Sequence, residues 1–117
     1  MDIPLDDVSP IGAIAEKYGV TLRALRFYEE KGLVTPIRIG NHRLYNKTSE
    51  DQLKTLLEAK RLGYSIRMIQ TKIPLSRWDL TKNVNDDLLR ERLVKLRREE
   101  REIKTTIRKI EEILQER

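Results

Sequence analysis

The apolar residues in the last third of the chain fall at Leu89, Leu93, Leu96, Ile103, Ile107, Ile110 and Leu114, with Glu100 at the position that completes the series. The spacing alternates between four and three residues, which is a heptad register. A helix carrying such a stripe alone would leave it in water, so the segment demands a partner helix. If it pairs antiparallel with a second copy, the midpoint between Leu89 and Leu114 lies between Arg101 and Glu102. Leu89 then faces Leu114, Leu93 faces Ile110, Leu96 faces Ile107, and Glu100 faces Ile103 close to the two-fold axis. A charge there costs stability unless Arg97, Arg101 or Lys104 reaches it, yet one polar seam residue can fix register. The alternative is a Glu100 merely exposed where the helices diverge.

Upstream of that helix there is room for one small domain. Ser9-Pro10 reads as a helix start, with Ser9 as N-cap and Pro10 at the first helical position, and Ile11, Ile14, Ala15 and Tyr18 share a face before Gly19. Thr21 can cap a second helix with an apolar face of Leu22, Leu25 and Phe27, ending at Gly32. Two short helices across a Gly-containing turn form a helix-turn-helix pattern. From Pro36 to Asn46 the period falls to two around Gly40-Asn41, a two-residue hairpin that pairs Ile39 with His42, Arg38 with Arg43 and Ile37 with Leu44. In that register His42 lies on the inner face, where a packed neutral imidazole is expected and a pH switch is the alternative.

A third helix is expected to open at Thr48-Ser49-Glu50-Asp51 and to carry Leu53, Leu56, Leu57, Lys60 and Leu62 up to Gly63. Ser65 can cap a fourth, with Ile66, Ile69 and Ile73, halted by Pro74. The segment with Trp78 and Leu80 reads as a linker that packs on the head or on the partner helix, with ligand stacking as the other option. The expected organisation is an N-terminal extension (1–9), a DNA-binding head (10–75), a linker (76–86) and a dimerisation helix (87–117). The fold class is mainly α with a small two-stranded β-wing, a winged helix-turn-helix head followed by a long coiled-coil helix.

Charge separates the two parts. From Lys17 to Arg67 there are eleven Lys/Arg against five Asp/Glu, an excess of +6, whereas Asp86 to Arg117 holds ten against nine. An anionic partner would meet the first part. The chain has no cysteine and a single histidine, which removes disulfides, thiolate sites and multi-histidine metal centres. No metal or cofactor is expected, and no cluster of acid, base and nucleophile suggests an enzyme. The acidic N-terminus and the absence of a long apolar run argue against a signal peptide or membrane span, so a cytoplasmic, nucleoid-associated protein is expected.

The second helix presents Thr21, Arg23, Arg26 and Tyr28 on the sides left after its apolar stripe. Arginine reads guanine edges in the major groove, and hydroxyls hold phosphates; a solvated helix face would carry similar residues. Arg38 opposite Arg43 is a like-charge pair that an external phosphate would relieve, although arginines can also keep a ribbon edge soluble. Gly40 and Asn41 at the tip allow close approach of backbone N–H groups to DNA.

The run from Val20 to Val34 (VTLRALRFYEEKGLV), then His42-Arg43-Leu44-Tyr45, then Thr48-Ser49-Glu50-Asp51, resembles the MerR family of bacterial transcription regulators across about residues 10 to 75. The resemblance implies a homodimer joined by an antiparallel coiled coil. Such a dimer binds an inverted repeat in double-stranded promoter DNA and bends and untwists it, with RNA polymerase as a further partner. It implies recognition-helix contacts at Thr21, Arg23, Arg26 and Tyr28 and wing contacts at Arg38, Arg43 and Tyr45, with Arg23 reading bases and Tyr28, Arg43 and Tyr45 holding phosphates. The wing is a few residues shorter than the commonest family form, so its reach cannot be carried over. With no cysteine, and with the chain stopping at Arg117, no sensing domain is expected in it. An architectural DNA-bending factor and a protein-docking coiled coil are the competing readings.

Overall fold

The computed structural model describes residues 7–73 and 84–117. It divides into two units, Met1–Asn83 and Val84–Arg117. The first contains β1 (Ser9–Pro10), α1 (Ile11–Tyr18), α2 (Leu22–Glu30), β2 (Ile37–Ile39), β3 (His42–Tyr45), α3 (Lys47–Arg61) and α4 (Ile66–Lys72); the second is α5 (Asp86–Gln115). Among the described residues no helix is long and apolar enough to cross a membrane.

The start of the chain corrects one expectation. Ser9 does not cap α1: Pro10 is the N-cap, extended at φ −66° and ψ 152°, with no side-chain cap. Ser9 and Pro10 instead pair with Tyr45 and Leu44, adding a third, antiparallel strand in the order β1-β3-β2. Proline is tolerated there because an edge strand does not need every N–H. The hairpin itself follows the expected register, with Ile37 opposite Leu44, Arg38 opposite Arg43 and Ile39 opposite His42. Gly40 takes φ 63°, and among the described residues none other than glycine has positive φ, the sign pattern of a type II′ turn. His42 is nevertheless exposed. Alternation along β3 puts it on the face opposite that of the buried Tyr45.

Thr21 caps α2 as expected, its Oγ1 accepting from Ala24 N at 3.0 Å. The far end closes with Gly32 N donating to Glu29 O at 3.0 Å and Leu33 N to Tyr28 O at 2.9 Å. This paired geometry requires a left-handed residue, supplied by Gly32 at φ 73°. The rotation of α2 differs from the expected one. Leu25 and Tyr28 face the core, whereas Leu22 and Phe27 are exposed, Phe27 lying under the Lys31 ammonium at 5.6 Å. Positions 25 and 28 share a face at helical spacing; position 27 falls on the other side.

Helix α3 begins at Lys47, one residue before the run expected to open it, and Asn46 is its N-cap, with Oδ1 accepting from Ser49 N at 2.8 Å. Leu53, Leu56 and Ala59 are buried, while Lys60 and Leu62 lie outside the stripe expected of them. Ser65 caps α4 through Met68 N at 3.2 Å. The core is completed by Ile14, Leu33, Val34, Tyr45, Tyr64, Ile69 and Ile73. Pro74, Trp78 and Leu80 lie outside the described residues.

In the second unit Asn85 caps α5 through Asp87 N at 2.7 Å, and Asp86 and Asp87 suit the positive end of the helix dipole. The helix is continuous over 30 residues. Its seam is open to solvent: Leu89, Leu93, Leu96, Ile103, Ile107, Ile110 and Leu114 are all exposed, from 38% at Leu89 to 64% at Leu114. Glu100 is also exposed, with Lys104 Nζ 3.8 Å from its Oε1.

Gly32→Ala tests the α2 closure. A Cβ there would meet no atom within 4 Å, so the cost is backbone strain alone. Thermal or urea denaturation should show a loss of about 1–2 kcal/mol; an unchanged midpoint would contradict the left-handed assignment.

Candidate nucleic-acid interface

Burial of Leu25 and Tyr28 turns the opposite side of α2 outward. Arg23, Arg26, Phe27 and Glu30 are exposed on that side, with the exposed Thr21 and Leu22 at the helix start. Among the described residues no ion pair or side-chain hydrogen bond engages Arg23, Arg26 or Arg38. Within the described residues these guanidinium groups are therefore open to an anionic or hydrogen-bond-accepting partner. Arg38 and Asn41 are exposed on the ribbon. Between α2 and the ribbon lies a notch of about 580 Å³ lined by Pro10, Ile11, Arg26, Glu30 and residues 41–44.

Arg43 is held differently. Its guanidinium lies 3.6 Å from Glu29 Oε1, and only a third of its side chain is exposed. The like-charge conflict with Arg38 across the ribbon is thus partly relieved inside the molecule, where an external anion had been expected. Tyr28 and Tyr45, expected to hold phosphates, are core residues, 5% and 1% exposed. The Tyr28 hydroxyl accepts from Lys60 Nζ at 3.2 Å, and the Tyr45 hydroxyl donates to Glu29 Oε2 at 3.1 Å. Burial, reinforced by the neighbouring Glu29 carboxylate, holds the Tyr45 phenol protonated well above its ordinary range.

Helix α3 anchors the surface from behind. Ser49 Oγ donates to Thr35 O at 2.6 Å, and Gln52 Oε1 accepts from Thr35 N at 2.7 Å, so both backbone groups of the residue leading into the ribbon are fixed. Gln70 of α4 donates to Lys31 O at 3.0 Å at the end of α2. Glu50 accepts from Lys17 and from the Tyr18 hydroxyl, tying α1 to α3. The Lys17 hydrogen bond, then that of Tyr18, holds the Glu50 carboxyl below its ordinary value. Sequence reasoning missed Glu29, Ser49, Glu50, Gln52 and Gln70 as organising residues, because their partners lie 14 to 39 positions away.

A helix-turn-helix with a hairpin beside its outward-facing second helix is a winged helix-turn-helix. The chain belongs to the MerR HTH family of regulatory proteins, whose model matches residues 10–75. It is 43% identical over 58 residues to the HTH-type transcriptional regulator CueR of Salmonella typhi, a match covering 48% of this chain and 42% of that protein. It is 33% identical over 67 residues to the ZntR homolog of Haemophilus influenzae, covering 56% and 50% respectively. A crystal structure of a MerR-family transcriptional regulator from Bacillus cereus superposes with a TM-score of 0.64 at 31% identity, covering 85% of this chain and 75% of that one. The matches to these two curated relatives span half of their length or less.

The Glu50 cluster predicts a pH dependence. Because the folded carboxyl is more acidic than the unfolded one, its contribution is present above the ordinary value of 4.5 and is lost as pH falls through the folded value. Glu50→Gln should therefore lower stability near neutrality and flatten the acid limb of the stability curve. Parallel curves for the two proteins down to pH 2 would contradict it.

Proposed function

We propose that this chain is a homodimeric, sequence-specific DNA-binding transcription regulator that binds an inverted repeat in promoter DNA and bends or untwists it. The observation that carries this reading is the row of arginines that have no partner among the described residues, Arg23 and Arg26 on the outer side of α2 and Arg38 on the wing, on a head with an excess of +6 between Lys17 and Arg67. A helix of this kind placed in the major groove brings Arg23 to guanine edges, with Arg26 beside it and Thr21 at the helix start available to a phosphate. Arg38, Asn41 and Arg43 on the wing serve the flanking backbone. Tyr28 and Tyr45 support this surface from the core. RNA polymerase at the same promoter is the further partner, and the proposed site of action is the cytoplasmic nucleoid.

Two heads are joined in this proposal by α5, whose exposed seam pairs antiparallel with a second copy through Leu89, Leu93, Leu96, Glu100, Ile103, Ile107, Ile110 and Leu114. The domain limits proposed are a head at 10–75, preceded by an extension at 1–9, a linker at 76–86 and the dimerisation helix at 87–117. Duplexes enriched from a randomised pool test the reading: an inverted repeat supports it, and recovery of no preferred sequence sinks it.

On the enriched duplex, Arg23→Ala should cost about 1–3 kcal/mol and relax preference at one base position. Arg38→Ala should weaken all duplexes alike and reduce the slope of log affinity against log salt by about one. Identical profiles for the two variants would contradict the division of roles.

Glu100→Leu removes a charge from the seam. The paired helices should melt at higher temperature and the oligomeric state should become less uniform by light scattering. Unchanged melting with a clean dimer would show that Glu100 is simply exposed where the helices part.

A further inference from the structure

We propose that Glu29 is a positioning residue for DNA recognition, acting through Arg43; this rests on the DNA-binding reading above. Glu29 is on α2, the helix proposed to enter the groove, yet its side chain is only 9% exposed and turned toward the ribbon. One carboxylate oxygen lies 3.6 Å from the Arg43 guanidinium and the other accepts from the Tyr45 hydroxyl at 3.1 Å. Both partners belong to β3, the central strand of the sheet. The carboxylate therefore joins the two elements that would have to touch DNA together.

The charge of Glu29 has a second consequence. Arg38 and Arg43 face each other across β2 and β3, an arrangement that is destabilising when both cations are uncompensated. Glu29 neutralises one of them, leaving Arg38 as the outward cation and holding Arg43 at the wall of the notch it shares with Arg26. A long arginine ordered before DNA arrives loses less side-chain entropy on binding than a free one. Such preorganisation favours a duplex whose phosphate falls at the held position over one whose phosphate does not.

Glu29→Gln separates these effects, since an amide oxygen still accepts from Tyr45 while the charge holding Arg43 is gone. Binding of the full chain is measured on an enriched inverted-repeat duplex and on a mixed-sequence duplex, alongside thermal denaturation. The expected result is a melting temperature within about 4 °C of the parent, affinity for the enriched duplex about tenfold lower, and affinity for mixed sequence equal or higher. Arg43→Ala should give a similar loss on the enriched duplex, and the double variant no further loss. Equal losses on both duplexes with a large fall in melting temperature would reduce Glu29 to a fold-holding residue and overturn the proposal. So would parental binding by Glu29→Gln, or additive losses in the double variant. If the unmodified chain retains no duplex, the DNA-binding reading itself fails and this one with it.

Discussion

The burial of Leu25 and Tyr28 sets the rotation of α2, and the surface chemistry of the head follows from it. With those two side chains in the core, a helical repeat leaves Arg23 and Arg26 on the opposite side. Full burial of Leu25 is worth about 1.5–3 kcal/mol, more than any exposed arginine gains or loses by pointing elsewhere. Packing therefore decides the orientation, and the arginines are displayed as a result. The cap at Thr21 and the closure at Gly32 limit the helix to the nine residues that carry this face.

Around that helix, the wing is held by polar contacts rather than by a large core of its own. Ser49 and Gln52 grip Thr35, β1 pairs with β3, and Glu29 receives both Tyr45 and Arg43. Among the described residues no buried side-chain nitrogen or oxygen lacks a partner. A small domain with few aromatic residues can thus hold an exposed hairpin in place, because each unmade bond in such a network would carry a desolvation cost.

Much of this was legible in the sequence where the signal is local. The hairpin register around Gly40-Asn41, the Thr21 and Ser65 caps, the Gly32 closure and the heptad stripe of α5 depend on residues a few positions apart. The misreadings came where tertiary context decided. Leu22 and Phe27 are apolar like Leu25, yet the neighbours of α2 bury only Leu25 and Tyr28. Ser9-Pro10 has the composition of a helix start, but the free edge of β3 captured it as a strand. Tyr28 and Tyr45 look like hydroxyl donors in sequence, and only the distant Lys60 and Glu29 give their hydroxyls partners inside the fold. Arg43 was read as relieved by an external phosphate for the same reason: nothing near it in sequence announces Glu29.

The central claim is that two heads act together on one duplex. It unites an exposed seam on α5 with head arginines that have no partner among the described residues. The most direct measurement is the mass of the protein–DNA complex on a duplex bearing one enriched site. Two 13.8 kDa chains per duplex, with protection of two inverted half-sites, is the predicted result. One chain per duplex protecting a single half-site would contradict it.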